Sequence, residues 1–425
     1  MPAPRVLLTA FGSDGDLLPM VALAQALGER GAHAVVGSSA RHREKVESRG
    51  VDFAPLRPEM PELSEQGELA AKLLDPKDGA RAIVELIAMR HLADSYEDTL
   101  AAARGFDALV GSALAMATPL AAAKLGIPWA SAVYQPMAFM SAWDPPTLPM
   151  ARWLDALRGG GAWGAALRRR LFELGMRSAR PWCAEHARLG AALGLPADPD
   201  PLFAAARSPW LSLAMFPAML GARQPDWPGS AVQTGFPIPR SEPSKTSPEL
   251  MAFLDAGPPP VSFTLGTAAV HAAEGFYEAS KEAAGALGLR AVFLTGADGQ
   301  NSMGALPPSM MAVPYADHGF LFSRSIVAVH SCGVGTCAKS LIAGVPTLAV
   351  PWAHDQPDNA RRLAALGVGK SLRRESYSAP SAARSIAELA ADPRYEKAAR
   401  VAAAKLAGVD GAGVAADALL GRLAR

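Results

Sequence analysis

The stretch from Ile326 to Gln356 constrains this chain more than any other. It opens with an apolar run, Ile326 to Val329, and continues through His330-Ser331-Cys332-Gly333-Val334-Gly335-Thr336 into a helix-compatible segment, Cys337 to Ala343. Gly344-Val345-Pro346 stops that helix, a second apolar run follows from Thr347 to Val350, and Asp355-Gln356 closes the block. Strand, Gly-rich turn, helix and strand in this order predict a βαβ unit with parallel strands and a right-handed crossover. The turn carries a histidine to the start of a helix whose first amides lack partners and whose dipole end is positive. An anion is the natural guest there, and a diphosphate suits it. Asp355 and Gln356 are expected at the carboxyl end of the second strand, where open α/β sheets hold ligand groups. A carboxylate that only accepts, beside a carboxamide that donates and accepts, suits sugar hydroxyls. Together these features imply a nucleotide-sugar site.

The rest of the chain supports two such units. Residues 1–60 alternate strand and helix: Arg5 to Ala10, a Gly/Asp turn from Phe11 to Leu18, a helix opened by Pro19 and continued by Val21 to Arg30, a strand from His33 to Ser38, a helix from Arg41 to Arg49, and Val51 to Pro55. Asp107 to Gly111 and Pro128 to Val133 read as later strands of the same sheet. Met60 to Leu100 and Met137 to Leu195 show helical periodicity without a clear strand. A Pro-rich stretch from Phe216 to Thr246 has the composition of a connection. Further strands are expected at Val261 to Leu265, Arg290 to Thr295, Ile326 to His330 and Thr347 to Val350. The expected division is an N-terminal domain over 1–215, a linker over 216–250, a C-terminal domain over 251–408, and a last helix within 409–425 that packs back on the first domain.

Length and charge agree with an enzyme of two domains. The 425 residues are enough for two separate cores. Formal net charge is +1, so nothing electrostatic favours nucleic acid or an anionic membrane surface, and at most peripheral membrane contact is expected. Cys183, Cys332 and Cys337 are too few and too scattered for a disulfide framework, which suits a reducing cytoplasm. The N-terminus does not read as a signal peptide, and the apolar region from Leu109 to Trp143 is interrupted by Lys124, Gly126 and prolines, unlike a membrane span. Oligomeric state is left open.

The block from His330 to Gln356 resembles the donor signature of inverting nucleotide-sugar glycosyltransferases of the GT-B fold. That family usually has His-x-Gly-Gly-x-Gly-Thr, then Gly-Val-Pro, then Asp-Gln. Here Cys332 stands where the first glycine of the pair is usual, while the histidine, the last Gly-Thr and the Asp-Gln match. The resemblance extends over essentially the whole chain. It is similar to rhamnolipid-type bacterial rhamnosyltransferases, and then to sterol and glycopeptide-antibiotic glycosyltransferases, through Gly12-Ser13-Asp14-Gly15-Asp16 with Pro19, Asp75-Pro76-Lys77, Thr234-Gly235-Phe236-Pro237 and Ala353 to Asn359. The resemblance implies an α/β fold of two facing Rossmann-like domains with parallel sheets and a cleft between them.

It also implies roles. His330, Gly333, Gly335, Thr336, Asp355 and Gln356 would bind the donor. A hydroxyl at Thr267 would reach the phosphates, and Tyr315, Asp317 and His318 would lie near the nucleotide base. Asp16 would be the base that takes the acceptor proton, with Asp14 as the alternative. Ordinary helix-capping chemistry accounts for the same residues without catalysis. Ser13, Tyr134, Met137, Phe139 and Trp143, with a second wall around His91, are the acceptor-side candidates, and their character suggests a hydrophobic acceptor. Asp14-Gly15-Asp16 spells the metal motif of another glycosyltransferase fold, but its place directly after a strand argues against a metal, and none is expected. No cofactor is expected beyond a dTDP- or UDP-linked sugar as co-substrate. The expected reaction moves a rhamnose- or glucose-type hexose to a hydroxyl of a hydroxy fatty acid lipid. Alternatives are UDP-glucose-dependent glucosylation of a polyketide, sterol or phenol, a nucleotide-sugar epimerase, and a non-catalytic nucleotide-sugar-binding partner.

Overall fold

The computed structural model describes residues 2–59, 67–196, 198–240, 246–270, 273, 275–296 and 301–425, and only the backbone of Gly67, Thr267 and Ala268. The chain forms two compact units. The first comprises Met1–Pro61, Asp78–Arg240 and Val409–Arg425, and the second Glu62–Lys77 and Ser241–Gly408. No helix among the described residues is long and apolar enough to cross a membrane.

In the first unit, β1 (Arg5–Thr9), β2 (His33–Ser38), β3 (Asp52–Pro55), β4 (Ala108–Ser112), β5 (Trp129–Val133), β6 (Leu211–Ala214) and β7 (Ala231–Gln233) form one parallel sheet in the order β3-β2-β1-β4-β5-β6-β7. Strands covered on both faces should be apolar nearly throughout, and β4 and β6 are buried at every position. Leu7 of β1 and Leu109 of β4 are fully buried and belong to one core with Val35, Tyr96 and Leu120.

The first helix starts earlier than its proline suggests. It spans Asp14–Glu29, with Pro19 inside it. Ser13 is the N-cap, its Oγ accepting from the Gly15 amide at 3.3 Å. That cap and the two acidic residues of the first turn favour a start at Asp14, ahead of the proline.

The stretch 216–240 is not a connection. It carries β7, and Trp227 is buried against Phe139 and Phe216, with ring centroids 4.5 and 5.7 Å away. Its prolines flank a three-residue edge strand, the place in a sheet where proline is tolerated. The last helix, Gly411–Leu423, belongs to the same unit and packs on the Asp14–Glu29 helix, where Arg30 meets Asp417 at 2.6 Å.

The second unit repeats the architecture with six strands among the described residues. They are β8 (Val261–Thr264), β9 (Ala291–Leu294), β10 (Met310–Val313), β11 (Val327–His330), β12 (Thr347–Ala349) and β13 (Gly369–Ser371), parallel in the order β10-β9-β8-β11-β12-β13. Phe263 and Phe293 stack across β8 and β9 at 5.0 Å, and Phe276 and Trp352 extend the same core. Leu74, from the segment 62–77, is buried in this core too, so that excursion of the first half belongs structurally to the second unit.

Candidate active site

In the second unit the crevice is set by topology. β8 and β11 are neighbours at the middle of the sheet, and the chain leaves them toward opposite edges. Such a switch point opens a gap at the carboxyl ends of the two strands. The loops there are tied together, Ser331 Oγ donating to the Leu265 carbonyl at 2.8 Å.

His330 ends β11 and is fully buried. Its Nδ1 accepts from the Cys332 amide at 3.1 Å, which assigns the ring proton to Nε2. Burial, with His318 nearby, holds the imidazole down to about 3, so the ring is neutral and acts by hydrogen bonding rather than by charge. Among the described residues Nε2 has no hydrogen-bond partner, which leaves it a buried donor.

The turn is held in an unusual backbone. Cys332 has φ +72°, a conformation glycine adopts freely and a cysteine adopts at about 1–2 kcal/mol. Asn359 holds it by donating to the Cys332 carbonyl at 3.0 Å and to Asp355 Oδ2 at 2.6 Å. Gly333 is the N-cap of the helix Val334–Ala343, and Gly335 and Thr336 lie in its first turn. A Cβ added at Gly333 or Gly335 would meet open space, so the backbone here is approachable. Approachable amides at the positive end of a ten-residue helix form an anion cradle.

Asp355 stands at the N-cap position of the next helix, Gln356–Ala365, without a side-chain capping bond, and interacts with the Val334 amide. Burial pushes its carboxyl up to about 6, against hydrogen bonds from Asn359 and from backbone amides that favour the charged form. Gln356 turns its carboxamide oxygen back on the chain, accepting from the Trp352 and Ala353 amides at 2.7 and 3.2 Å. Its oxygen is therefore structural.

His354, just before Asp355, has φ +56°. Strained residues after both β11 and β12 fit a site held in shape by its surroundings.

The loop expected near the base is only partly presented to solvent. Asp317 caps the helix His318–Ser323, accepting from Phe320 N, and pairs with Lys339 at 2.8 Å. His318 Nε2 meets Thr264 Oγ1 at 3.2 Å, and burial drives its ring down to about 4. Tyr315 is 69% exposed, edge-on to His318. The Thr267 side chain lies outside the described residues.

The first unit has its own switch point, between β1 and β4. A pocket there is lined by Thr9, Phe11, Gly12, Leu92, Ser95 and Met116, among others. Asp16 stands at its rim: a Cβ at Gly12, where φ is +117°, would fall 2.8 Å from Asp16 Oδ2, so glycine makes room for the carboxylate. Tyr134 donates to the Asp16 carbonyl at 3.2 Å, and burial, with the nearby Asp16 charge, lifts its hydroxyl well above the ordinary range. Asp14 instead forms an ion pair with Lys45 at 2.6 Å.

The apolar wall expected from Tyr134 to Trp143 does not line this pocket. Phe139 is fully buried, 6.3 Å from Phe216 and 4.5 Å from Trp227, and is a core residue rather than a contact for the acceptor. Its apolar character in a loop reads the same either way in sequence. Met137 is half-buried, Trp143 is 41% exposed, and Ser13 is the helix cap described above. Leu92 and Ser95, from the second expected wall, do line the pocket. Thr9, Phe11 and Met116 were not singled out in sequence, because they come from separate segments that only the sheet order brings together.

The comparisons with known proteins agree with this geometry. Residues 6–140 match the glycosyltransferase family 28 N-terminal domain, and residues 282–418 match the erythromycin biosynthesis protein CIII-like C-terminal domain. The chain is 32% identical over 430 residues to glycosyltransferase GtfC of Amycolatopsis orientalis, covering 99% of this chain and 98% of that protein. Vancomycin aglycone glucosyltransferase of the same organism is 31% identical over 438 residues, with 99% and 98% covered. Among solved structures, the spinosyn forosaminyltransferase SpnP superimposes with a TM-score of 0.72 at 18% identity, with 100% of each chain covered. Two parallel-sheet units, an anion cradle at one switch point, and relatives of this length lead to one conclusion: the chain belongs to the GT-B glycosyltransferases and is a glycosyltransferase.

Proposed function

We propose that this enzyme transfers a hexose from a dTDP- or UDP-sugar to a hydroxyl of an apolar natural-product aglycone, in a single displacement that inverts the anomeric centre. The observation that carries the donor half is the open backbone at Gly333 and Gly335, at the start of a helix beside Asp355. The departing diphosphate takes the helix amides and Thr336, with His330 Nε2 as a neutral donor. Asp355 and the Gln356 amide hydrogens hold sugar hydroxyls, and the exposed Tyr315 ring suits stacking on the base. The helix end and neutral donors supply the stabilisation of the leaving group, so no metal is required. Solved relatives bound to thymidine diphosphate favour the dTDP donor.

Asp16 accepts the acceptor proton as its oxygen attacks. Tyr134 positions the Asp16 backbone, and the pocket at Gly12 receives the acceptor. Relatives that act on the vancomycin aglycone and on O-mycaminosyltylonolide support a multi-ring acceptor. A hydroxy fatty acid acceptor of the rhamnolipid kind is the second reading, favoured by Leu92, Phe11 and Met116 in the pocket lining. Use of nucleotide sugars suits a cytoplasmic enzyme.

Release of nucleoside diphosphate from dTDP-rhamnose, dTDP-glucose and UDP-glucose tests the proposal, with macrolide, glycopeptide, phenolic and hydroxy-lipid acceptors. Acceptor-dependent release with ring aglycones is expected. Release with hydroxy-lipids alone would transfer the assignment to the second reading, and release without any acceptor would refute both.

A further inference from the structure

The donor turn contains chemistry that sugar transfer does not use. Cys332 Sγ lies 3.2 Å from Cys337 Sγ, and the Cys337 thiol donates to the Cys332 carbonyl at 3.3 Å. A ring nitrogen of His330 completes a group of three donor atoms within 4.8 Å of one another, all buried. Among the described residues, no other set of three or more His, Cys, Asp or Glu donors is drawn together in this way. Two thiols and an imidazole are the ligand set of tetrahedral zinc sites, which favour sulfur and nitrogen.

We propose that His330, Cys332 and Cys337 form a binding site for a thiophilic divalent cation such as Zn2+, and that its occupancy opposes donor binding. The second half of the proposal rests on the assignment of this turn to the donor diphosphate.

The geometry gives the direction. Two sulfurs bound to one tetrahedral zinc, at about 2.3 Å each, stand about 3.8 Å apart. The pair must therefore open from 3.2 Å. The same movement disturbs the turn fixed by the Cys332 amide on His330 and by Asn359 on the Cys332 carbonyl. His330 also gives up a ring nitrogen to the metal. The cradle cannot keep its donor-binding shape while the cation is held. Both thiols are taken up as thiolates, so binding one ion releases two protons to solvent. The fourth coordination position is filled by water.

The test uses the full chain, reduced and freed of metal. Zn2+ and Cd2+ are titrated by calorimetry in buffers of different ionisation enthalpy, and Cd2+ also by its thiolate charge-transfer absorption. Binding of thymidine and uridine diphosphate is measured with and without the ion. The expected result is one ion per chain, proton release, a thiolate band, and nucleotide affinity weakened roughly tenfold or more, within the usual range of coupling between sites. Cys332→Gly, which suits the positive φ and so should fold, and Cys337→Ser should lose the band and show no shift of their own nucleotide affinities on adding the ion. Cys183→Ala, in the other unit, should keep both effects. A band that survives in Cys332→Gly and Cys337→Ser, or no band in the wild type, would overturn the site. An ion that binds as described but leaves nucleotide affinity unchanged or raises it would overturn the antagonism. Failure of both nucleotides to bind the metal-free protein would instead count against the donor assignment, and the band reads the cation site independently of it.

Discussion

The turn after β11 and the loop after β1 occupy equivalent places in two similar sheets, yet they are built from different materials. At β11 the ligand surface is mainly backbone: helix amides, two glycines with open space beside them, and a strained residue held by Asn359. At β1 it is mainly side chain: a carboxylate fitted over Gly12, and pocket walls from Thr9, Leu92, Ser95 and Met116. A backbone cradle suits a group that every donor shares, the diphosphate. A side-chain pocket can vary with the acceptor. Under the proposed function labour is divided: the first unit would set whether transfer occurs and to what, the second whether the donor is held.

The sharpest way to break this division is Asp16→Asn. Removing a general base typically lowers rate by about 10²–10⁴-fold, so turnover should fall by that order while donor affinity stays within about twofold. Equal losses in both would place Asp16 in donor binding as well. The mirror-image test is Asp355→Asn, which should weaken donor binding by about ten- to a hundredfold, as expected when a charged hydrogen-bond acceptor is lost.

The same substitution should change stability in the opposite sense. The Asp355 carboxyl titrates at about 6 in the folded chain, above the ordinary value of about 3.9 in the unfolded one. The folded state thus holds this proton more tightly, and stability from this group falls as pH rises from about 4 to about 6 and stays lower above. Asp355→Asn should remove that cost, raising stability at pH 7 relative to wild type by about 3 kcal/mol and by much less at pH 4. Thermal melts at the two pH values check the sign. Donor affinity in the wild type should fall as Asp355 protonates below about pH 6.

Phe139 and Trp143 test the limit of the acceptor wall. Phe139→Ala should destabilise by about 3–5 kcal/mol, as a large buried ring does, and its effect on acceptor preference should only follow stability. Trp143→Ala, at a site 41% exposed, should cost less than about 1 kcal/mol. The smallest expected effect is that of a chelator on metal-free protein, which should leave transfer unchanged.

The same contrast explains what could be read before the structure. The block from His330 to Gln356 was legible because a backbone cradle demands particular residues at short spacing. That Asp16 follows the first strand was legible, but it lies in the first turn of the Asp14–Glu29 helix rather than in a loop, because the Ser13 cap starts the helix before Pro19. The pocket around Gly12 was not legible, since its walls come from segments about a hundred residues apart. Strands β6, β7, β10 and β13 escaped because each is short and carries at most one β-branched or aromatic residue, whereas the equally short β8, β9 and β11 carry two or more. Phe139 misled because an apolar residue in a loop has the same signature whether it meets a ligand or fills a core. The cysteine pair was visible as letters, but five residues apart in sequence says nothing of sulfurs 3.2 Å apart.

The most direct test of the central claim is single-turnover transfer from a saturating dTDP-sugar, with donor affinity measured on the same preparations of wild type, Asp16→Asn and Asp355→Asn. The account predicts that Asp16→Asn binds donor normally and fails to transfer, while Asp355→Asn transfers near the wild-type rate once donor is forced on. Near-normal transfer by Asp16→Asn, or normal donor affinity in Asp355→Asn, would contradict it.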